Sequence, residues 1–235
     1  MTYGSVSGLH PGLRPGVDPP IPFESTLERD FLEIVCFDTA RVTRVVAQPC
    51  AVPLVVPGRN GTPRPTVYTP DFLVARAPER PRAPYRTTLY EVKPRERLLA
   101  DVPHWRLRFR AARAYAAERF WRFRVVSELQ VRTPYLANVR FLARFRRDPR
   151  DHSAEAYVLG VLDDLQRAPL DVLLAALGAT EHARLTILPI VWRLVADRRI
   201  EADLTAPLTS TTLLWLSAAE EVASPTAHRG SREVW

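Results

Sequence analysis

Of the 33 Lys and Arg in this 235-residue chain, one is a lysine. It is Lys93, in Tyr90-Glu91-Val92-Lys93-Pro94, and Asp71 stands 22 residues before it in Thr69-Pro70-Asp71-Phe72-Leu73-Val74. An ammonium is a compact charge on a flexible stem, whereas a guanidinium is a broad planar fork that keeps its proton. A chain that meets every other need for positive charge with arginine, and keeps lysine here, points to a position that must fit one charge beside a metal-bound water. In a strand, residues i and i+2 share a face, so Glu91 and Lys93 point the same way with Leu89, and Tyr90 and Val92 point opposite. Asp71, on an antiparallel neighbour, can face them. Two carboxylates on one face form a hard-oxygen site for Mg²⁺, for which Mn²⁺ substitutes. Such an ion orients a phosphodiester and lowers the pKa of a water. Lys93 would place that water or offset charge building on the phosphate.

The plainer reading makes Asp71 a turn residue after Pro70 and Glu91–Lys93 a surface pair. The neighbours argue against it. Asp71 is followed by Phe72, Leu73 and Val74, and Glu91 sits among Leu89, Tyr90 and Val92. A charge set in such apolar runs is costly without a partner. A third carboxylate is expected from the first helix, where Glu24, Glu28 and Glu33 are available. Glu28 lies one turn in and is favoured as a ligand, with Glu24 second. The competing role for Glu28 is a capping box, Ser25-Thr26-Leu27-Glu28. The expected catalytic set is therefore Glu28, Asp71, Glu91 and Lys93, with the metal on Glu28, Asp71 and Glu91.

The elements that must position these groups follow from periodicity. Residues 1–22, rich in Gly and Pro, read as a flexible arm. Residues 23–37 read as a helix with Ser25 at its N-cap and Leu27, Phe31, Ile34 and Val35 as its apolar stripe. Residues 42–56 read as strand, 57–61 as a turn, and 66–75 as strand. Residues 76–86 read as an Arg/Pro-rich loop, followed by a strand over 87–93 that Pro94 stops. Pro103 opens a long helix with Trp105, Phe109, Ala112 and Ala116 on its buried side and Arg106, Arg110 and Arg113 on another. A strand follows over 122–128. An Arg-rich connector, 136–152, leads to three helices (153–167, 169–177, 183–198) and two short strands (200–204, 212–216). Three helices and a two-stranded wing predict a winged-helix domain. The organisation expected is an arm to residue 22, a nuclease-like domain over 23–150, a second domain over 151–216 and a tail over 217–235.

Charge separates the two halves. Residues 1–150 hold 26 basic and 14 acidic side chains, and residues 151–235 hold 7 and 12. The first part suits a polyanion such as double-stranded DNA. Arg80, Arg82, Arg106, Arg110 and Arg113 are the expected backbone contacts, since Arg grips phosphate bidentately. The acidic, apolar second part fits a protein partner better. No apolar run reaches the roughly 20 residues of a membrane helix. Cys36 and Cys50 read as reduced core residues, and the expected location is the bacterial cytoplasm, with the nucleoid. His104 and His152 read as surface or helix-end residues. Tyr115 and Trp121 read as core.

Asp, then Glu-X-Lys, in the order helix, three strands, helix, strand, resembles the PD-(D/E)xK nucleases and their restriction-endonuclease-like α/β fold. A narrower resemblance is carried by Glu24 through Phe31, Gln48-Pro49, Tyr68 through Val74, Glu91-Val92-Lys93, and, near the C-terminus, Leu194 through Leu204, Pro207-Leu208-Thr209 and Thr212 through Trp215. Together these resemble the TnsA endonuclease subunit of heteromeric transposases. The resemblance implies hydrolysis at the 5′ ends of a transposon, beside a TnsB-like DDE transposase that cuts and joins the 3′ ends and a TnsC-like AAA+ ATPase that controls both. It places the family's Glu, Asp and Lys on Glu28, Asp71 and Lys93. Some members carry Gln where Glu91 stands. Gln48 reads as a packing residue. Two alternatives remain at this level: a stand-alone restriction or repair nuclease, and a catalytically silent subunit that bridges ATPase and transposase.

Overall fold

The computed structural model describes residues 6–58, 60–78, 86–147 and 149–218. The chain divides into two compact units, Met1–Thr133 and Pro134–Trp235.

The first unit is built around a four-stranded sheet in the order β3-β6-β7-β8. These strands are β3 (Val42–Ala47), β6 (Phe72–Arg76), β7 (Arg86–Val92) and β8 (Arg122–Val126). The first two pairings are antiparallel and the last, β7 with β8, is parallel. Helix α1 (Thr26–Phe37) covers one face. Its Leu27, Phe31, Leu32 and Val35 join Phe72, Val74, Tyr90 and Val92 in one apolar cluster. Phe31 contacts the rings of both Phe72 and Tyr90, with centroids 5.5 and 5.0 Å away. On the opposite face Leu73 and Leu89 meet Ala116 of helix α3 (Val102–Ala117), with Tyr115, Trp121 and Phe123 packed around them. Glu91 shares the face of Leu89, so the sheet's alternation aims it toward α3. The helix, three strands, helix, strand order of the core is as expected.

Three local expectations are corrected. The segment 1–22 is not simply an arm: β1 (Gly8–His10) pairs antiparallel with β2 (Ile21–Phe23), and Ile21 and Phe23 enter the core. Burial of those two side chains supplies what the Gly/Pro composition lacks. The strand expected over 42–56 is two strands in different sheets, interrupted after Ala47, where Gln48 adopts φ 46°. The strand expected over 66–75 is likewise two, β5 (Pro63–Tyr68) and β6, parted at Thr69-Pro70-Asp71. The pieces β4 (Val52–Pro57) and β5 form their own hairpin. A short helix, α2 (Arg95–Ala100), also precedes α3, and α4 (Glu128–Val131) follows β8.

The second unit begins before residue 150. Pro134–Leu142 is helix α5 and Phe145–Arg147 a 3-10 turn, where an Arg-rich connector was expected. Two of the arginines there, Arg146 and Arg150, are structural. Arg146 Nε donates to the carbonyl of Ala196 at 3.1 Å, and Arg150 pairs with Asp197 at 2.8 Å. Both reach the C-terminal end of helix α8 (Glu181–Ala196), where exposed carbonyls favour cations. With this boundary the first unit carries 21 basic and 13 acidic residues and the second 12 and 13, so the charge contrast drawn at residue 150 is about halved. The remaining elements are α6 (His152–Leu165), β9 (Arg167–Pro169), α7 (Leu170–Leu177), β10 (Ile200–Ala202) and β11 (Leu213–Leu216). Their sheet order is β10-β11-β9, both pairings antiparallel. The three-residue β9 escaped the sequence because it is too short to show a period. The tail's residues from 219 onward lie outside the described residues.

Candidate active site

Two chain interruptions, after β3 and after β5, place Asp71, and the continuous strand β7 carries Glu91. The break after β5 leaves Asp71 just ahead of β6, and the register Phe72↔Tyr90, carried one step on, sets Asp71 against Glu91. Asp71 is clamped through its backbone and its side chain. Its carbonyl accepts from the Gln48 N–H at 2.8 Å, and its Oδ2 accepts from the Val92 N–H at 2.7 Å. The left-handed turn at Gln48 is uncommon for a non-glycine residue and is held by this bond. The Gln48 side chain also donates to Glu24 Oε1 at 3.0 Å. Gln48 therefore aims the loop that carries Asp71.

Glu91 is buried, 2% exposed. Its Oε2 accepts a 2.5 Å hydrogen bond from the Tyr68 hydroxyl, and its Oε1 lies 3.2 Å from Lys93 Nζ. Asp71 Oδ1 lies 3.9 Å from the same ammonium. Each carboxylate thus has one oxygen tied by an uncharged donor, and the other turned to Lys93. Burial pushes the Asp71 carboxyl up to about 7, helped by the Glu91 charge and only partly offset by Lys93. Burial alone would lower the Lys93 ammonium, but Asp71 and Glu91 outweigh it and hold its pKa above the ordinary value. Tyr68 is pushed far up by burial and by Glu91, which keeps its hydroxyl a donor.

Glu28 takes the capping role. The Ser25 hydroxyl accepts from the Glu28 N–H at 3.1 Å and donates to Glu28 Oε1 at 2.9 Å, while the Glu24 N–H donates to Oε2 at 2.8 Å. Its charge still acts on both Asp71 and Lys93. Among the described residues no group of three or more His, Cys, Asp or Glu is gathered closely enough to hold a metal ion. The donors that do converge, one oxygen from Asp71 and one from Glu91, match the chemistry of Mg²⁺, which takes one or two carboxylates and keeps its waters.

Arg106, Arg110 and Arg113 are exposed along α3. Arg80 and Arg82 lie outside the described residues. His104 sits at the start of α3 beside Asp101, and the side chain of His152 is exposed in the second unit. Cys36 and Cys50 are free thiols. Two site residues were not expected. Tyr68 was legible only indirectly, because a buried Glu91 requires a donor that no sequence period names. Trp105 has the helical spacing of a core residue, yet its ring lies 5.6 Å from Lys93 Nζ.

Among the described residues no helix is long and apolar enough to cross a membrane. Residues 39–128 match the family described as TnsA-like endonuclease N terminal, and residues 130–204 the family described as TnsA endonuclease C terminal. The first match contains Asp71, Glu91 and Lys93 but begins after α1, and so excludes Glu28. Comparison with curated proteins finds no significant match. The two matched segments follow each other in order and cover most of the chain, which therefore belongs to the TnsA-like endonuclease family.

Proposed function

We propose that this chain is the Mg²⁺-dependent strand-cutting subunit of a TnsA/TnsB/TnsC-like transposition system, hydrolysing phosphodiesters at the 5′ ends of the element during cut-and-paste excision. The observation that carries this reading is the ammonium of Lys93 set against Glu91 Oε1 and Asp71 Oδ1 at 3.2 and 3.9 Å. Asp71 and Glu91 are the residues that would hold the ion. Glu28 is the third carboxylate: a carboxylate offers about four lone-pair sites, so its cap bonds leave capacity for a water or ligand. A bound Mg²⁺, or Mn²⁺ in its place, supplies Lewis acidity at the scissile phosphate. Lys93 orients the attacking water and offsets the charge that builds on the phosphate oxygens as the new P–O bond forms and the old one breaks. Arg106, Arg110 and Arg113 hold the duplex by its backbone.

The order helix, strand, two helices, two strands, with β11 between β10 and β9, supports a winged-helix reading of the second unit. Its α8 exposes Leu185, and Ile187, Leu188 and Ile190 are only half-buried. This apolar surface favours a protein, the TnsC-like ATPase or the TnsB-like transposase, over phosphate. The test is 5′-end cleavage in the reconstituted system. Asp71→Ala abolishes it, and Lys93→Arg loses most of it, while 3′-end cutting by the transposase continues. Undiminished 5′ cutting by Asp71→Ala would leave the chain a bridging subunit.

A further inference from the structure

We infer that Trp105 is a positioning residue for Lys93, an aromatic wall that holds the ammonium over the acidic pair. The inference rests on the reading of Lys93 as the residue that serves the reacting phosphate.

The indole is fixed on several sides before it meets the lysine. Asp101 caps α3 by accepting from the His104 N–H at 3.1 Å, and Pro103 stands in the helix's first turn. These two features fix where α3 begins. The Trp105 Nε1–H donates to the Arg97 carbonyl of α2 at 3.0 Å. One neighbour ring, Phe109, stacks on it at 5.5 Å and 24°, and the His104 ring meets its edge at 5.1 Å. Phe109 in turn touches Phe123 of β8, the strand paired with β7. The ring that faces Lys93 is thus tied back to the sheet that carries Lys93.

The backbone of Lys93 is also fixed, its N–H donating to the Val126 carbonyl at 3.0 Å. Four flexible methylenes remain between that anchor and the charge. Glu91 and Asp71 attract the ammonium from one side, and alone they would draw it onto the carboxylates. The π face at 5.6 Å offers a second attraction that needs no anion and no water. Trp is the strongest aromatic partner for a cation, and its bulk removes space that a guanidinium fork would need.

The single lysine makes the test direct. In protein labelled with ¹³C,¹⁵N-lysine, every lysine NMR signal belongs to Lys93. The Hε signals of the wild type are expected upfield of an ordinary lysine because of the indole ring current. Trp105→Phe keeps part of that displacement and Trp105→Leu abolishes it. The same variants are assayed for 5′-end cleavage with Mn²⁺ in the reconstituted system. Trp105→Leu is expected to lower kcat about three- to tenfold with little change in KM for the DNA end, and Trp105→Phe to recover part of the loss. Ordinary Hε shifts in the wild type would overturn the contact. Lost displacement with unchanged kcat in Trp105→Leu would overturn the role while leaving Lys93 in place. Wild-type cleavage by Lys93→Met would overturn the underlying reading of Lys93, and the inference with it.

Discussion

The two units each bury a glutamate to 2% exposure, and they treat it in opposite ways. In the second unit Glu155 is met by arginine: Arg199 Nη1 donates to its Oε2 at 2.9 Å, and Arg193 Nε lies 3.7 Å from its Oε1. In the first unit Glu91 has one ammonium, one tyrosine hydroxyl and a second carboxylate, Asp71, close by. Glu155 is surrounded by permanent cations and ties α6 to α8. The pair at β7 has more acid than base, and burial first, with the Glu91 charge second, pushes the Asp71 carboxyl up to about 7. A buried carboxylate matched by cations is a structural joint, whereas in a cluster with surplus anion an added cation would relieve the repulsion.

The largest effect expected from this contrast is on stability in the second unit. Glu155→Ala takes the buried carboxylate from Arg193 and Arg199, leaving Arg193 with Asp197 at 3.8 Å, and destabilises that unit by up to about 3–5 kcal/mol, read from urea unfolding. Mn²⁺ binding in the first unit stays unchanged. Next, Lys93→Arg keeps the unfolding midpoint but lowers 5′-end cleavage by about 10²–10³-fold, or roughly 3–4 kcal/mol, the range for losing one placed electrostatic donor. Wild-type cleavage rates in that variant would contradict the opening argument from lysine's shape.

A pH experiment sharpens the comparison. Asp71 has a folded pKa raised from 3.8 to about 7, so the folded state binds the proton more tightly than the unfolded chain. Its contribution to stability is complete below about pH 4 and is lost as pH rises through about 7. In chelator, Asp71→Asn is therefore expected to exceed the wild type in stability at about pH 8, by on the order of 2–4 kcal/mol, and to match it near pH 4. Equal stabilities at both pH values would show that Asp71 is not strained by its neighbours. The smallest effect is Tyr68→Phe, which leaves Glu91 Oε2 short of a donor and costs about 1–2 kcal/mol in unfolding, with weaker Mn²⁺ binding.

The parts of this site that were legible in the sequence are those set by local rules. Strand alternation placed Glu91 and Lys93 on one face, Ser25 announced the start of α1, and Pro103 that of α3. The parts that were not legible depend on long-range pairing. The hairpin of β4 and β5 holds Pro53, Pro57, Pro63 and Pro65, which argues against strand by composition. The register alternates them with Val52↔Tyr68, Leu54↔Thr66 and Val56↔Arg64, so every proline stands where no ladder N–H is required. That hairpin ends on Tyr68, which explains why the hydroxyl that serves Glu91 stayed hidden. Arg146 and Arg150 read only as part of an Arg-rich connector because their partners, the Ala196 carbonyl and Asp197, lie some 50 residues away in sequence.

The most direct test of the central claim is calorimetric titration of Mn²⁺ into the wild type and Asp71→Asn at about pH 8, where Asp71 is ionised. Binding by the wild type that disappears in Asp71→Asn is the result expected of a cation site built on Asp71 and Glu91. Equal binding by both proteins, or none by the wild type, would contradict it.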